Sequence, residues 1–305
     1  MFKQFVKKIS CKSRGLTPPA KKVSSPPLFQ GKLHGFPAEL NEGNTYPAIV
    51  LANPLFNAPL VELVHCLGRE LKRQINFIDV GAACGDTVLL LEQRCTGVVK
   101  EYLCIDGDDE FGGYLRRNMA QFKNVRIVQT MLAGERTEVP ELVKHHKGSA
   151  GCFGDKKIKA RPLDEVVADE AFKPDLLKID VDGFDGEVIR GAKNVLCQDK
   201  PVVIFEWHPK LYAKAGQDFK VPFRVLNESG YLQFLWFDNA GEFSHFSSGV
   251  DNNIISSTRD YLMAVNQRRD QHFDVIAFPD DGFKDIVSIA TLEYAREAMA
   301  KHPAL

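Results

Sequence analysis

The residues of this chain that could do chemistry stand at the ends of apolar runs. Asp79 closes INFIDV, Asp106 closes LCID, Asp180 and Asp182 follow DLLKI, and Glu206 and His208 end PVVIFEWH. The first of these leads into a glycine turn, D-x-G-x-x-x-G, with Gly81 and Gly85 followed at once by Asp86, Thr87 and the helical run VLLLEQ. A strand that breaks at glycine lets backbone approach a ligand closely, and the helix start beyond it offers unpaired N–H groups. Dinucleotide sites use G-x-G-x-x-G to seat a pyrophosphate. Carboxylates at Asp79 and Asp86 repel such a group but suit a ligand carrying an ammonium and a sulfonium, which points to S-adenosylmethionine. Gly81, Ala82 and Gly85 are expected to pack its methionine part, with Ala83 and Thr87 in the same turn, while Asp79 and Asp86 attract its charge. Asp106 lies one strand later, where a carboxylate reaches ribose hydroxyls, and Gly107 follows it. The alternative role for Asp106 is a helix N-cap.

In KIDVDGFDGEVIRGA, strand alternation puts Lys178 and Asp180 on one side near the tip, either as an ion pair or as working groups. Glu206 and His208 alternate onto one face of the next strand, and His208 is a candidate general base. The catalytic candidates are therefore Asp180, His208, Lys178 and Glu206, with Asp180 also counted among the cofactor contacts. Asp180, Asp182, Glu206 and His208 also have the oxygen and nitrogen donors for a magnesium-like ion, although their spacing matches no established metal motif.

These side chains must be positioned by elements that repeat: short apolar strands alternate with amphipathic helical segments from Ile75 onward. Such alternation predicts an α/β fold with a doubly wound, mainly parallel sheet, whose strand ends gather ligands on one edge. GYLQFLWFDNAGEFSHF reads as a hairpin turning at Asn239 to Gly241, and HFDVIAFP as a late strand before a final helix. Residues 1–27 read as a flexible basic arm, residues 28–74 as loops leading to a helix near Pro59 to Gln74, and residues 75–305 as the main domain. The stretch Lys144 to Asp155 reads as a loop.

The chain has 305 residues, 44% hydrophobic and 26% charged, with formal net charge −1. That near-neutrality hides an asymmetry, since residues 1–38 carry eight lysine or arginine residues and no carboxylate. Phe2, Phe5, Val6 and Ile9 among those lysines fit a frayed solubilising terminus, the reading composition favours, or peripheral contact with an anionic membrane or partner. The acidic remainder, lacking a basic aromatic groove pattern, argues against nucleic acid as partner. Seven cysteines without a C-x-x-C pair fit a reducing, cytoplasmic setting without a disulfide framework. No apolar stretch reaches the length of a membrane span.

Taken together, the blocks FIDVGAACGDT, IDGDDEFGGYLRRN, ARPLDEVV, KIDVDGFDGEVIRGA and PVVIFEWH resemble the FkbM-type methyltransferases, a branch of the class I S-adenosylmethionine-dependent enzymes. The resemblance runs from Ile75 to Lys210. It implies a seven-stranded sheet with an antiparallel last strand, and methyl transfer to a hydroxyl of a sugar, glycan or natural product. The chain departs from the family pattern at Ala83, where asparagine is common, at Asp106 and Gly107, where glutamate-proline is common, and at Asp182 and Asp185, where glutamate is common. Two rival readings are a nicotinamide-dependent oxidoreductase, disfavoured by the missing third glycine, and a degenerate methyltransferase fold that binds without turnover.

Overall fold

A computed structural model describes residues 28–279, apart from 42, 54–55, 147 and 268–269. The expected basic arm and the final helix lie outside the described residues. The chain opens with a hairpin of β1 (Leu28–Leu33) and β2 (Phe36–Asn41), then α1 (Tyr46–Ala52) and α2 (Ala58–Leu71). A segment expected to be loops thus holds a hairpin and a short helix. His34 and Gly35, both at positive φ, supply the tight turn between the two strands.

The alternating region follows as β3 (Ile75–Val80), α3 (Asp86–Arg94), β4 (Val99–Asp106), α4 (Asp109–Met119) and β5 (Val125–Gln129). Next come β6 (Met131–Leu132), β7 (Thr137–His146) and β8 (Ser149–Arg161), which form a separate three-stranded sheet. The expected Lys144 to Asp155 loop is in fact the turn and flanks of the long β7–β8 hairpin. Small residues and paired lysines there hide the strand alternation. The chain continues through α5 (Leu163–Asp169), β9 (Leu176–Ile179), α6 (Asp185–Arg190), α7 (Lys193–Gln198) and β10 (Val202–Trp207). It closes with α8 (Pro209–Lys214), α9 (Val221–Glu228), β11 (Tyr231–Asp238), β12 (Phe243–Ser248), α10 (Asn252–Val265) and β13 (Phe273–Pro279).

The main sheet has eight strands in the order β12-β11-β13-β10-β9-β3-β4-β5. Strands β10, β9, β3, β4 and β5 are mutually parallel, and β13 enters antiparallel between β10 and β11. The antiparallel last strand therefore stands as expected, but β12 of the hairpin adds an eighth strand at the edge. Both faces of the central strands are buried, as a parallel sheet between helical layers requires. Phe77, Tyr102 and Leu176 face a core built with α2, α3 and α4, whereas Ile78, Leu103, Leu177 and Val203 face a second core with α5, α6, α7 and α9.

One consequence of this order matters for chemistry. Trp207 at the end of β10 pairs with Phe273 at the start of β13. The entry to β13 therefore shares an edge with the carboxyl ends of β3, β4, β9 and β10.

Candidate functional site

At that edge the glycine turn after β3 meets the tips of β4 and β9. Gly81 has φ 81°, and a Cβ built on it would lie 1.9 Å from the Asp180 carbonyl oxygen. The glycine is thus demanded by the neighbouring strand tip, not only by an approaching ligand. Gly85, at φ 83°, turns away from the edge, where an added Cβ would meet Met119 Cε at 2.6 Å. Asn118 locks the same turn by donating to the Cys84 carbonyl at 2.7 Å.

Asp106 is not a helix cap; Asp108 takes that role by accepting from the N–H groups of Glu110 and Phe111. One Asp106 oxygen accepts from Ala83 N–H and the other from Asp108 N–H, each at 2.8 Å. The carboxylate therefore ties the glycine turn to the β4–α4 connection and keeps lone pairs for another donor. Burial pushes its pKa up to about 6, against the pull of the Asp108 and Ala83 N–H groups.

A cavity of about 200 Å³ opens over this turn, lined by Gly81, Ala83, Asp86, Thr87, Asp106 and Gly107 and by Lys178 and Asp180. Two expected contacts, Ala82 and Gly85, are not on its wall; Ala82 is buried in the core under the turn. Asp79 also stays off the wall, fully buried behind it, with Lys178 Nζ 3.4 Å from its carboxylate. Any effect of Asp79 on a ligand is through its field. Lys178 makes a second ion pair with Asp180 at 3.2 Å, so both sequence-level readings of that pair meet here: it is an ion pair, and it lines the cavity. Burial pulls the Lys178 pKa down, but Asp180, Asp79 and Asp86 outweigh it and keep the ammonium charged. Burial pushes Asp86 up to about 7, with Asp79 adding to the rise and Lys178 opposing it. Burial raises Asp79 as well, and a cationic ligand in the cavity would draw Asp79 and Asp86 toward their ionised forms.

A second cavity, of about 750 Å³, shares Lys178, Asp180 and Asp182 with the first and is walled beyond them by Glu206, His208, Asp270, His272 and Asp274. Glu206 and His208 both reach this wall, as alternation predicts. The sequence reading missed Asp270, His272 and Asp274. Their signal was the polar start of an antiparallel last strand, which must begin where parallel strands end. Tyr46, Phe56 and Asn57 also line both cavities, and no local pattern marked them. Asp185 lies elsewhere: fully buried, it accepts from the N–H groups of Val181 and Gly183 and shapes the turn after β9. Asp182 and Gly183 in that turn have φ 53° and 89°.

The Methyltransferase FkbM domain matches residues 116–233. The matched stretch contains the sequence blocks from ARPLDEVV to PVVIFEWH and begins within α4, after the glycine turn. Among solved structures, a methyltransferase FkbM from Methylobacillus flagellatus KT is 14% identical with TM-score 0.43, over 67% of this chain and 44% of that one. The chain thus spans less than half of that relative. A precorrin-6y C5,15-methyltransferase from Geobacter metallireducens GS-15 is 14% identical with TM-score 0.37, over 72% and 87%. A SAM-dependent methyltransferase from Aquifex aeolicus is 11% identical with TM-score 0.37, over 76% and 96%. No curated protein matches the chain. The doubly wound sheet with antiparallel β13 beside β10 is the class I methyltransferase arrangement that the sequence resemblance implies.

Proposed function

From the similarity to the Methyltransferase FkbM domain over residues 116–233, we propose that this chain is an S-adenosylmethionine-dependent O-methyltransferase acting on a hydroxyl of a sugar, glycan or natural product. The observation that carries the reading is the meeting of the two cavities at Lys178, Asp180 and Asp182. The smaller one would offer Asp106 to a ribose and the carboxyls of Asp86 and Asp180 to an ammonium and sulfonium. The larger one gives a polar acceptor room to reach the methyl group.

S-adenosylmethionine, when bound, supplies an activated methyl group. The protein's task is then alignment of an acceptor oxygen and removal of its proton. Asp180 stands at the junction with about half of its side chain exposed and, like Asp182, lines both spaces. It would accept the proton, while Lys178 holds it in place. His208 is buried on the wall of the larger cavity, and its pKa is lowered by burial and by His272, so it is neutral near pH 7. It is the second candidate base.

Mass spectrometry of glycans and small metabolites from cells with and without the gene tests the reading: a species heavier by one methyl group only in the gene-bearing cells supports it. Cofactor binding with no such difference and no turnover on any acceptor would favour a binding protein on a methyltransferase fold. Among the described residues no helix is long and apolar enough to cross a membrane. A cytoplasmic site of action, with membrane contact through the basic N-terminus, is part of the same proposal.

A further inference from the structure

On the wall of the larger cavity, away from the glycine turn, two histidines and several carboxylates converge from β10 and the entry to β13. The imidazoles of His208 and His272 stack with ring centroids 5.2 Å apart. His208 Nε2 lies 2.8 Å from Asp270 Oδ1, and His272 Nε2 lies 3.4 Å from Glu206 Oε1. His208, Asp270 and His272 each offer a ligand atom, all within 4.8 Å of one another.

We propose that His208, Asp270 and His272, with Glu206 beside them, bind one divalent transition-metal ion of the zinc, manganese or iron(II) kind. Two imidazoles and a carboxylate suit such borderline ions better than magnesium, which prefers oxygen donors. The set differs from the oxygen-rich one suggested by the sequence: His208 is kept and Glu206 stands close, but Asp180 and Asp182 give way to residues next to β13.

Two observations go beyond the mere grouping of ligands. First, His208 Nδ1, His272 Nδ1 and Glu206 Oε2 are buried with no hydrogen-bond partner among the described residues, although the His208 side chain is only 3% exposed. Buried polar atoms of this kind are normally satisfied, so a self-sufficient pair of histidine–carboxylate contacts is a poor account of them. Second, Glu206 and Asp274 stand directly opposite each other in the antiparallel β10–β13 register, and both line this cavity. Burial raises both carboxyls, Asp274 up to about 6 with His272 opposing the rise, so the two can ionise together only where a cation offsets them. An ion at His208, Asp270 and His272 would be that cation. It would also face the space assigned to the acceptor, where it would hold a hydroxyl and lower its pKa; with the ion bound His208 is a ligand and not a base, which leaves Asp180 to take the proton. That last role rests on the methyl-transfer reading; the metal site does not.

The test uses the full chain, stripped with a chelator and desalted. Calorimetric titration with Zn²⁺ and with Mn²⁺, and visible absorption on adding Co²⁺, should each show one ion per chain. Asp270→Ala and His272→Ala should each weaken binding by more than about tenfold, since losing even an outer partner of a metal ligand costs about that much. Asp270 is largely exposed, so its variant should fold even if one altered at His208 does not. Calorimetry with S-adenosylmethionine, run in parallel on the same proteins, should give the same Kd as wild type. The proposal is overturned if the stripped chain takes up no ion below millimolar concentration, or if both variants bind it as wild type does. Failure of cofactor binding with metal binding intact would instead count against the methyltransferase reading.

Discussion

Replacing Asp106 by alanine should act on the cofactor and on the fold at once, and the structure sets the size of each effect. The carboxylate already accepts two backbone N–H groups at 2.8 Å, one per oxygen, and the lone pair left on each can take a ribose hydroxyl. A hydrogen bond to a charged group contributes about 1.5–3 kcal/mol, so Asp106→Ala should weaken S-adenosylmethionine roughly 10- to 150-fold. The freed N–H groups of Ala83 and Asp108 face a cavity that water can enter, so the stability loss should be small, about 1–2 kcal/mol. The pH dependence gives an independent check. Ribose hydroxyls donate to the ionised carboxylate, so binding favours that form. Affinity should be flat above the free-state pKa of about 6 and fall as the pH drops through it. Asp106→Asn should remove that dependence. Isothermal calorimetry between pH 5 and 8 measures both effects. An alanine variant binding within about twofold of wild type, or a wild-type affinity that does not change between pH 5 and 7, would refute the assignment.

The other predictions concern the turn and the charges around it. Gly81→Ala should lower thermal stability and cofactor affinity together, because its Cβ would collide with the Asp180 carbonyl; a variant with unchanged melting temperature would show that the strand tips part easily. Ala83→Gly should raise stability by about 0.5–1 kcal/mol by relieving a left-handed alanine, φ 44°, which chemical denaturation would read. Lys178→Met leaves Asp79, Asp86 and Asp180 without their cation and should cost about 3–5 kcal/mol; a loss under 1 kcal/mol would mean that these carboxylates are protonated in the folded state. For Asp86 the folded pKa is raised, so its contribution to stability is full below the unfolded value near 4 and is lost as pH rises through about 7. Asp86→Asn should therefore stabilise the ligand-free chain at pH 8 relative to pH 5, seen as a smaller shift of melting temperature between the two. Asp180→Asn should reduce turnover on the identified acceptor by about 10²-fold or more, with cofactor affinity within a few-fold of wild type.

The parts of this account that the sequence disclosed are those in which one local signal fixes one local structure. Apolar runs ending in Asp79, Asp106, Asp180 and Glu206 required strands, and parallel strands bring their ends to one edge. Alternation was enough to place Lys178 with Asp180 and Glu206 with His208. What stayed hidden depended on partners distant in sequence. Gly81 reads as a ligand turn, yet its first constraint is the backbone of residue 180, about a hundred positions on. Gly85 and Ala82 share that turn but face α4 and the core, because a turn sends successive residues in different directions. Asp79 is apolar in its surroundings and charged in its chemistry, and only the ion pair with Lys178 explains it. Asp270, His272 and Asp274 became visible only when the direction of β13 was known. The β7–β8 hairpin was missed because its strands carry lysines and glycines where alternation should show.

The central claim is that the cavity over the Asp79–Thr87 turn takes S-adenosylmethionine. The most direct measurement is calorimetric titration of the full chain at pH 7.5 with S-adenosylmethionine and, separately, with nicotinamide dinucleotides. The account predicts one equivalent of S-adenosylmethionine bound, strongly weakened in Asp106→Ala, and no heat from either dinucleotide. Saturable binding of a dinucleotide with none of S-adenosylmethionine would contradict it.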